Sequence, residues 1–105
     1  SLKPHDPDVT IRITGGMNRP PYEKSTAVAA LFEVAREVAA GIGLDLQDCP
    51  MTGGGSDGNF TAALGVPTLD GLGIDGDGAH TLQEYASIAS IAPRQALIKG
   101  LLETI

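Results

Sequence analysis

The chain opens with alternation and then turns helical. Val9, Ile11 and Ile13 interleave with Thr10, Arg12 and Thr14, a period of two in β-branched residues that predicts a strand with one polar face. Gly15-Gly16 closes that run. Pro20-Pro21 then remove two amide donors and fix an extended path, so the stretch up to Tyr22 reads as a stiff connector. From 24 to 41 the period changes to that of a helix, with Val28, Leu31, Phe32, Ala35, Val38, Ala39 and Ile42 on one apolar stripe. Ser25 is placed to cap it, Glu33 to pair with Arg36, and Gly41 or Gly43 to end it. Leu44 to Met51 reads as an irregular strand, because Leu44 and Leu46 alternate while Asp48 and Pro50 interrupt the pattern. A glycine loop from Gly53 opens a short helix near 57–65, with Asp57 as its candidate cap, and Val66 to Leu72 follows as a short strand. Residues 73–79 read as loop, and 84–91 fit neither period. Pro93 starts a last helix in which Leu97/Leu101 and Ile98/Leu102 sit four apart.

This order predicts an α/β fold. Parallel pairing of 44–51 with 66–72 around the short helix would make a βαβ unit. Both glycine loops would then leave the carboxyl ends of their strands, where open α/β sheets place ligands. The first strand, with its polar face, reads instead as antiparallel. A change from one sheet type to another across the proline connector predicts a domain boundary near 15–22.

Composition narrows the function classes. A chain of 105 residues suits one domain with a modest core, and 42% apolar with 19% charged residues fits a folded protein. The net charge of -6 argues against a nucleic-acid partner, which needs a basic stripe. No apolar run approaches the roughly 18 residues of a membrane span, and no basic amphipathic stretch suggests a membrane surface. The glycines cluster at 53–58 and 71–78 and so mark loops. Cys49 is alone, which excludes an internal disulfide and a cysteine metal cluster and favours a reducing, cytoplasmic location.

Several residues carry candidate chemistry. Gly53, Gly55 and Gly58 satisfy G-x-G-x-x-G, with Asp75 and Asp77 near the distance of a ribose-binding acid, but the preceding strand is irregular. The loop is either a strand-to-helix turn or an anion cradle at a helix N-terminus. His80 is either a hydrogen-bonded structural residue or a metal ligand. Asp70, Asp75, Asp77 and Glu84 stand at no recognised spacing from it, and a catalytic zinc takes three protein ligands. Arg19, between Asn18 and Pro20, is either a surface charge or a guanidinium pre-organised for a carboxylate. Ser56 lacks a nearby base and a G-x-S-x-G context, so it reads as a hydroxyl donor in the loop rather than a nucleophile. His5 lies in the leader and reads as solvated.

G-M-N-R-P-P-Y at 16–22, G-G-G-S-D-G at 53–58, and G-A-H-T with E-Y at 78–85, followed by I-A-P-R at 91–94, occur in order. Together they resemble the carboxyl-terminal third of the zinc exopeptidase family that includes glutamate carboxypeptidase, acetylornithine deacetylase and succinyl-diaminopimelate desuccinylase. The resemblance implies a parallel-sheet catalytic α/β domain that holds two zinc ions and is interrupted by an α+β lid, which often dimerises. Residues 1–15 would be the tail end of the lid, 16–22 the return crossing, and 23–105 the carboxyl-terminal portion of the catalytic domain. By the same resemblance Arg19, with Asn18 beside it, would grip a substrate carboxylate, and Gly54, Gly55 and Ser56 would line the pocket near it. His80 would be a zinc ligand and Glu84 a group supporting it.

The family's H-x-D element and its paired glutamates, including the general base, have no counterpart here. The resemblance therefore implies a piece of an amide hydrolase that carries substrate-binding parts and one ligand, with no catalytic residue of its own, and that is inactive alone. Its substrate would be a peptide or N-acyl amino acid with a free carboxylate. Unpaired sheet edges predict a homo-oligomeric or domain-swapped state. Two other readings stand beside it: a non-catalytic carboxylate- or phosphate-binding α/β module using the Gly53–Gly58 loop, and a small self-contained nucleotide-binding enzyme.

Overall fold

A computed structural model describes residues 2–105. Its organising contact is between two helices, α1 (Thr26–Gly41) and α3 (Ile91–Thr104). α1 begins where Ser25 Oγ accepts from Val28 N–H at 3.2 Å, a cap worth about 1 kcal/mol. It ends in a Schellman turn: Gly43 takes φ 75°, its N–H reaches Ala40 C=O, and Leu44 N–H reaches Ala39 C=O. The Glu33–Arg36 pair forms at 2.7 Å on the outer face. α3 starts at Ile91, two residues before Pro93, after a 3₁₀ turn at Ile88–Ser90.

The core lies between these helices. Ala35 and Ala39 of α1 meet Leu97 and Leu101 of α3, and Leu46 closes one side. Phe32, Val34, Val38, Leu44, Leu69 and Leu72 pack around this centre. The alanines and Gly100 let the helices approach closely: a Cβ on Gly100 would come within 2.6 Å of Val38 Cγ1, and valine is stiff at χ1.

The short helix α2 (Gly58–Ala63) ends in a second Schellman turn, with Gly65 at φ 79° and Val66 N–H bonded to Thr61 C=O. β1 (Gly76–Asp77) and β2 (Tyr85–Ala86) pair antiparallel in the register Gly76↔Ala86 and Asp77↔Tyr85. This hairpin stands where the sequence reads as loop and as neither period. Conversely, 9–14, 44–51 and 66–72 form no ladder with one another among the described residues, so the expected βαβ pairing is not made within them. Leu44, Leu46, Leu69 and Leu72 still turn onto the helical core. For Leu44 and Leu46 alternation fixes which side chains point inward, whereas a ladder also needs a neighbouring backbone in register.

A large apolar surface stays outside. The accessible area is 8446 Å², against roughly 5500 Å² for a compact monomer of this mass. The radius of gyration is 19.3 Å, against about 13 Å expected for this length. Val9, Ile11 and Ile13 are exposed together, although they alternate with polar residues. α3 is apolar on two faces: Leu97 and Leu101 are buried, while Ile91, Ile98, Leu102 and Ile105 are exposed.

The two faces of α3 predict different costs. Leu97→Ala, at a fully buried position, is expected to lose about 2–5 kcal/mol. Ile98→Ala, one residue on but 41% exposed, should lose less than half as much. Urea unfolding followed by circular dichroism compares them, and equal losses would show that both faces are covered in solution.

Candidate functional site

The proline connector and the glycine loop meet. Asn59 joins them through one carboxamide: its Oδ1 accepts from Ser56 N–H at 3.0 Å and its Nδ2 donates to Pro20 C=O at 2.8 Å. Tyr22 adds a second tie, its hydroxyl donating to Thr68 C=O. Because Pro20 and Pro21 stiffen the backbone between these anchors, few contacts suffice to fix the course of residues 18–22.

Arg19 is carried on this fixed stretch. Its guanidinium lies 5.0 Å from the Phe60 ring centroid, a cation–π contact, and its Nη1 donates to Asp57 Oδ1 at 3.2 Å. Gly55 passes directly beside it, since a Cβ there would sit 3.4 Å from Arg19 Cδ. The Asp57 side chain is 96% exposed, so its carboxylate is held by little besides Arg19. An exposed pair of this kind contributes roughly 0–1 kcal/mol. The guanidinium is thus placed by its backbone and Phe60, and its present carboxylate partner is weakly retained.

The glycine loop is organised from within. Gly54 N–H reaches Thr52 Oγ1 at 3.3 Å, and Gly58 N–H reaches Ser56 Oγ at 3.1 Å. Asp57 stands at the N-cap position of α2, while the side chain that accepts from the helix's first N–H is that of Ser56. Asp57, expected as the cap, makes no side-chain bond to the helix and has αR backbone angles, because its carboxylate turns to Arg19. Gly53, Gly55 and Gly58 all lie outside the positive-φ residues. Gly58 serves close packing instead: a Cβ would come 3.2 Å from Thr68 Cγ2. With no strand before the loop among the described residues and Asp75 engaged by Arg94, the dinucleotide fingerprint lacks its structural context.

His80 lies at the tip of the β1–β2 hairpin, exposed, in the left-handed conformation at φ 65°. That backbone costs on the order of 1–2 kcal/mol for a residue with a Cβ. The loop around it is tightly bonded: Thr81 Oγ1 donates to Gly78 C=O at 2.7 Å and accepts from Gln83 N–H at 3.2 Å. The structure brings Arg19, Gly55 and Ser56 together, with Asn18 one residue from the guanidinium's backbone and Gly54 in the same loop. No hydrogen bond or ion pair among the described residues joins His80 or Glu84 to that group.

With this geometry in view, comparison with known proteins gives one match. The model of peptidase family M20/M25/M40 fits residues 6–104. The chain belongs to that family. No curated protein and no solved structure matches it. Family membership makes this a chain of peptidase, hydrolase type, and members are generally metal-dependent. The donors present do not by themselves fit such a metal: no group of three or more His, Cys, Asp or Glu side chains converges among the described residues. His80 stands apart from any such group, whereas a catalytic zinc requires three protein ligands.

Sequence reasoning missed Tyr22, Asn59 and Phe60, which fix Arg19 and its loop. A tyrosine directly after Pro-Pro was a usable signal, since a stiff connector needs an anchor. Asn59 and Phe60 carried none, because their partners lie about forty residues away.

Two predictions follow from the clamp. Asn59→Ala leaves Ser56 N–H and Pro20 C=O without their partner and is expected to cost about 1–3 kcal/mol by thermal melting. Tyr22 has its pKa raised above 10.0, by burial first and by the Asp70 carboxylate second. The folded form therefore holds the phenol proton more tightly than the unfolded form does. This contribution to stability is complete below pH 10.0 and is lost as the pH climbs through the raised value. Melting temperature measured from pH 9 upward should fall more steeply for the native chain than for Tyr22→Phe.

Proposed function

We propose that this chain is the carboxyl-terminal part of a metal-dependent carboxypeptidase or N-acyl-amino-acid amidohydrolase of the glutamate carboxypeptidase type. The parent cleaves an amide bond next to a free carboxylate, and the 105-residue chain alone is inactive. In this reading residues 1–15 end a lid domain, 16–22 cross back, and 23–105 complete an α/β catalytic domain whose parallel sheet takes in the extended segments. The apolar surface left open in the isolated chain supports that assignment. It also supports self-association, or strand exchange, when the chain stands alone.

The observation that carries the reading is Arg19. A guanidinium fixed by a proline-stiffened backbone and stacked near Phe60 already holds a carboxylate, that of the exposed Asp57. A substrate carboxylate has the same charge and fork geometry and displaces Asp57 at little cost. Asn18, Gly54, Gly55 and Ser56 form the wall beside it, and Gly55 gives the backbone room to approach. His80 supplies one ligand to a metal site, zinc in this reading, whose other ligands and general base come from upstream polypeptide. In the intact parent such a metal would serve to polarise the scissile carbonyl and to activate water. This chain's part is to bind and orient.

The test uses the parent with its upstream segment restored. With zinc supplied it should hydrolyse N-acyl glutamate and dipeptides, while the 105-residue chain does not. Arg19→Ala in the parent should raise KM roughly 10- to 100-fold for carboxylate substrates, with a smaller effect on kcat. A restored parent that stays inactive with metal removes the enzyme assignment. Equal rates on amidated substrates remove the carboxylate role and favour a module that binds anions without catalysis.

A further inference from the structure

Asp75 is tied to the start of α3 through all three of its polar groups. Its Oδ1 accepts from Arg94 Nη2 at 2.7 Å, its N–H donates to Ser90 Oγ at 2.9 Å, and its C=O accepts from Ser87 N–H at 2.7 Å. Ser90 Oγ in turn donates to Ser87 C=O at 2.6 Å, and Ser90 is buried. Asp75 immediately precedes β1 and Ser87 immediately follows β2, so this network closes the base of the hairpin and fastens it to α3. Arg94 is only 17% exposed, unlike the other ion-paired side chains, which are at least 36% exposed. Its Nε is buried without a partner, so this arginine gives up solvation to occupy its place.

The hairpin above that base has little slack. A Cβ on Gly76 would run into the Tyr85 carbonyl, and one on Gly78 would come within 3.0 Å of the Gln83 carbonyl. At the tip above them stands His80 in its left-handed conformation. A continuous line therefore runs from the buried Leu97 through α3 to Arg94 and Ser90, then to Asp75, the hairpin stem and His80.

We propose that Arg94 is a positioning residue: through Asp75 and Ser90 it fixes the base of the β1–β2 hairpin and so the pose in which His80 is presented. The functional value of that pose rests on the reading of His80 as a ligand. The mechanical claim does not, and it is tested without metal or substrate. In the full 105-residue chain, proton NMR follows two things. One is the exchange rate of Ser87 N–H relative to Leu44 N–H in the α1 Schellman turn. The other is the HN–Hα coupling of His80, which reports its positive φ.

Arg94→Gln is expected to speed Ser87 exchange at least tenfold and to shift the His80 coupling, with Leu44 unchanged. Arg94→Lys should restore much of both, because it keeps the charge. Asp75→Asn should reproduce the loss, and adding it to Arg94→Gln should bring little more. Parallel acceleration of Leu44, or an unmoved His80 coupling, would mean that Arg94 only supports α3, and the proposal would fall. If Arg94→Gln does not fold, Asp75→Asn, on an exposed side chain, decides by the same readouts. Failure of zinc to reach His80 in the restored parent would count against the ligand reading alone.

Discussion

Asn59 is the residue on which the site geometry hangs. A carboxamide with both ends engaged bridges a proline connector and a glycine loop that are far apart in sequence. Either partner alone would be under-determined. The connector has no ladder to hold it, and the loop has only local turns. Together, with Tyr22 on Thr68, they set the backbone of Arg19 so that its guanidinium is aimed before any ligand arrives. Rigidity of this kind reduces the ordering cost of binding.

Arg19 and His80 are held in different ways. Arg19 gains its position from stiff backbone and a handful of polar anchors on a largely exposed surface. His80 gains its position from a tight hairpin fastened to a core helix by a part-buried ion pair. The first arrangement leaves a weakly held carboxylate that a ligand can exchange. The second leaves no comparable freedom.

The packing tells a parallel story. Small residues on α1 and Gly100 on α3 permit one close helix contact, and that contact organises nearly all the buried apolar side chains. Beyond it, α3 carries a second apolar stripe, Ile98 and Leu102, about 100° around the helix from Leu97 and Leu101, and a helix whose apolar surface is this wide belongs in the interior of a larger assembly. Membership of peptidase family M20/M25/M40 gives that surplus surface a setting. The proposed parent would cover it with the rest of a catalytic domain.

The sequence by itself determined what depends on near neighbours. The helical stripe from Val28 to Ala39, the Ser25 cap and the Glu33–Arg36 pair are local and formed as their spacing dictated, while Ile42 falls beyond the helix and is exposed and Gly43, of the two candidate glycines, makes the stop. The motifs at 16–22, 53–58 and 78–85 were also legible, because the order and type of residues survive without coordinates. Strands were not decided this way. Alternation placed Leu44 and Leu46 toward the core, where Leu69 and Leu72 also pack without alternating, but a ladder depends on a second backbone arriving in register, which no single segment encodes. Only the tertiary structure paired the Asp57 side chain with Arg19 rather than with its own helix, and left Ser56 Oγ to accept from the first helical N–H. Only it tied Asp75 to Arg94. Those choices turn on polar groups competing for partners distant along the chain, and the winner is whichever partner folding brings within hydrogen-bond reach.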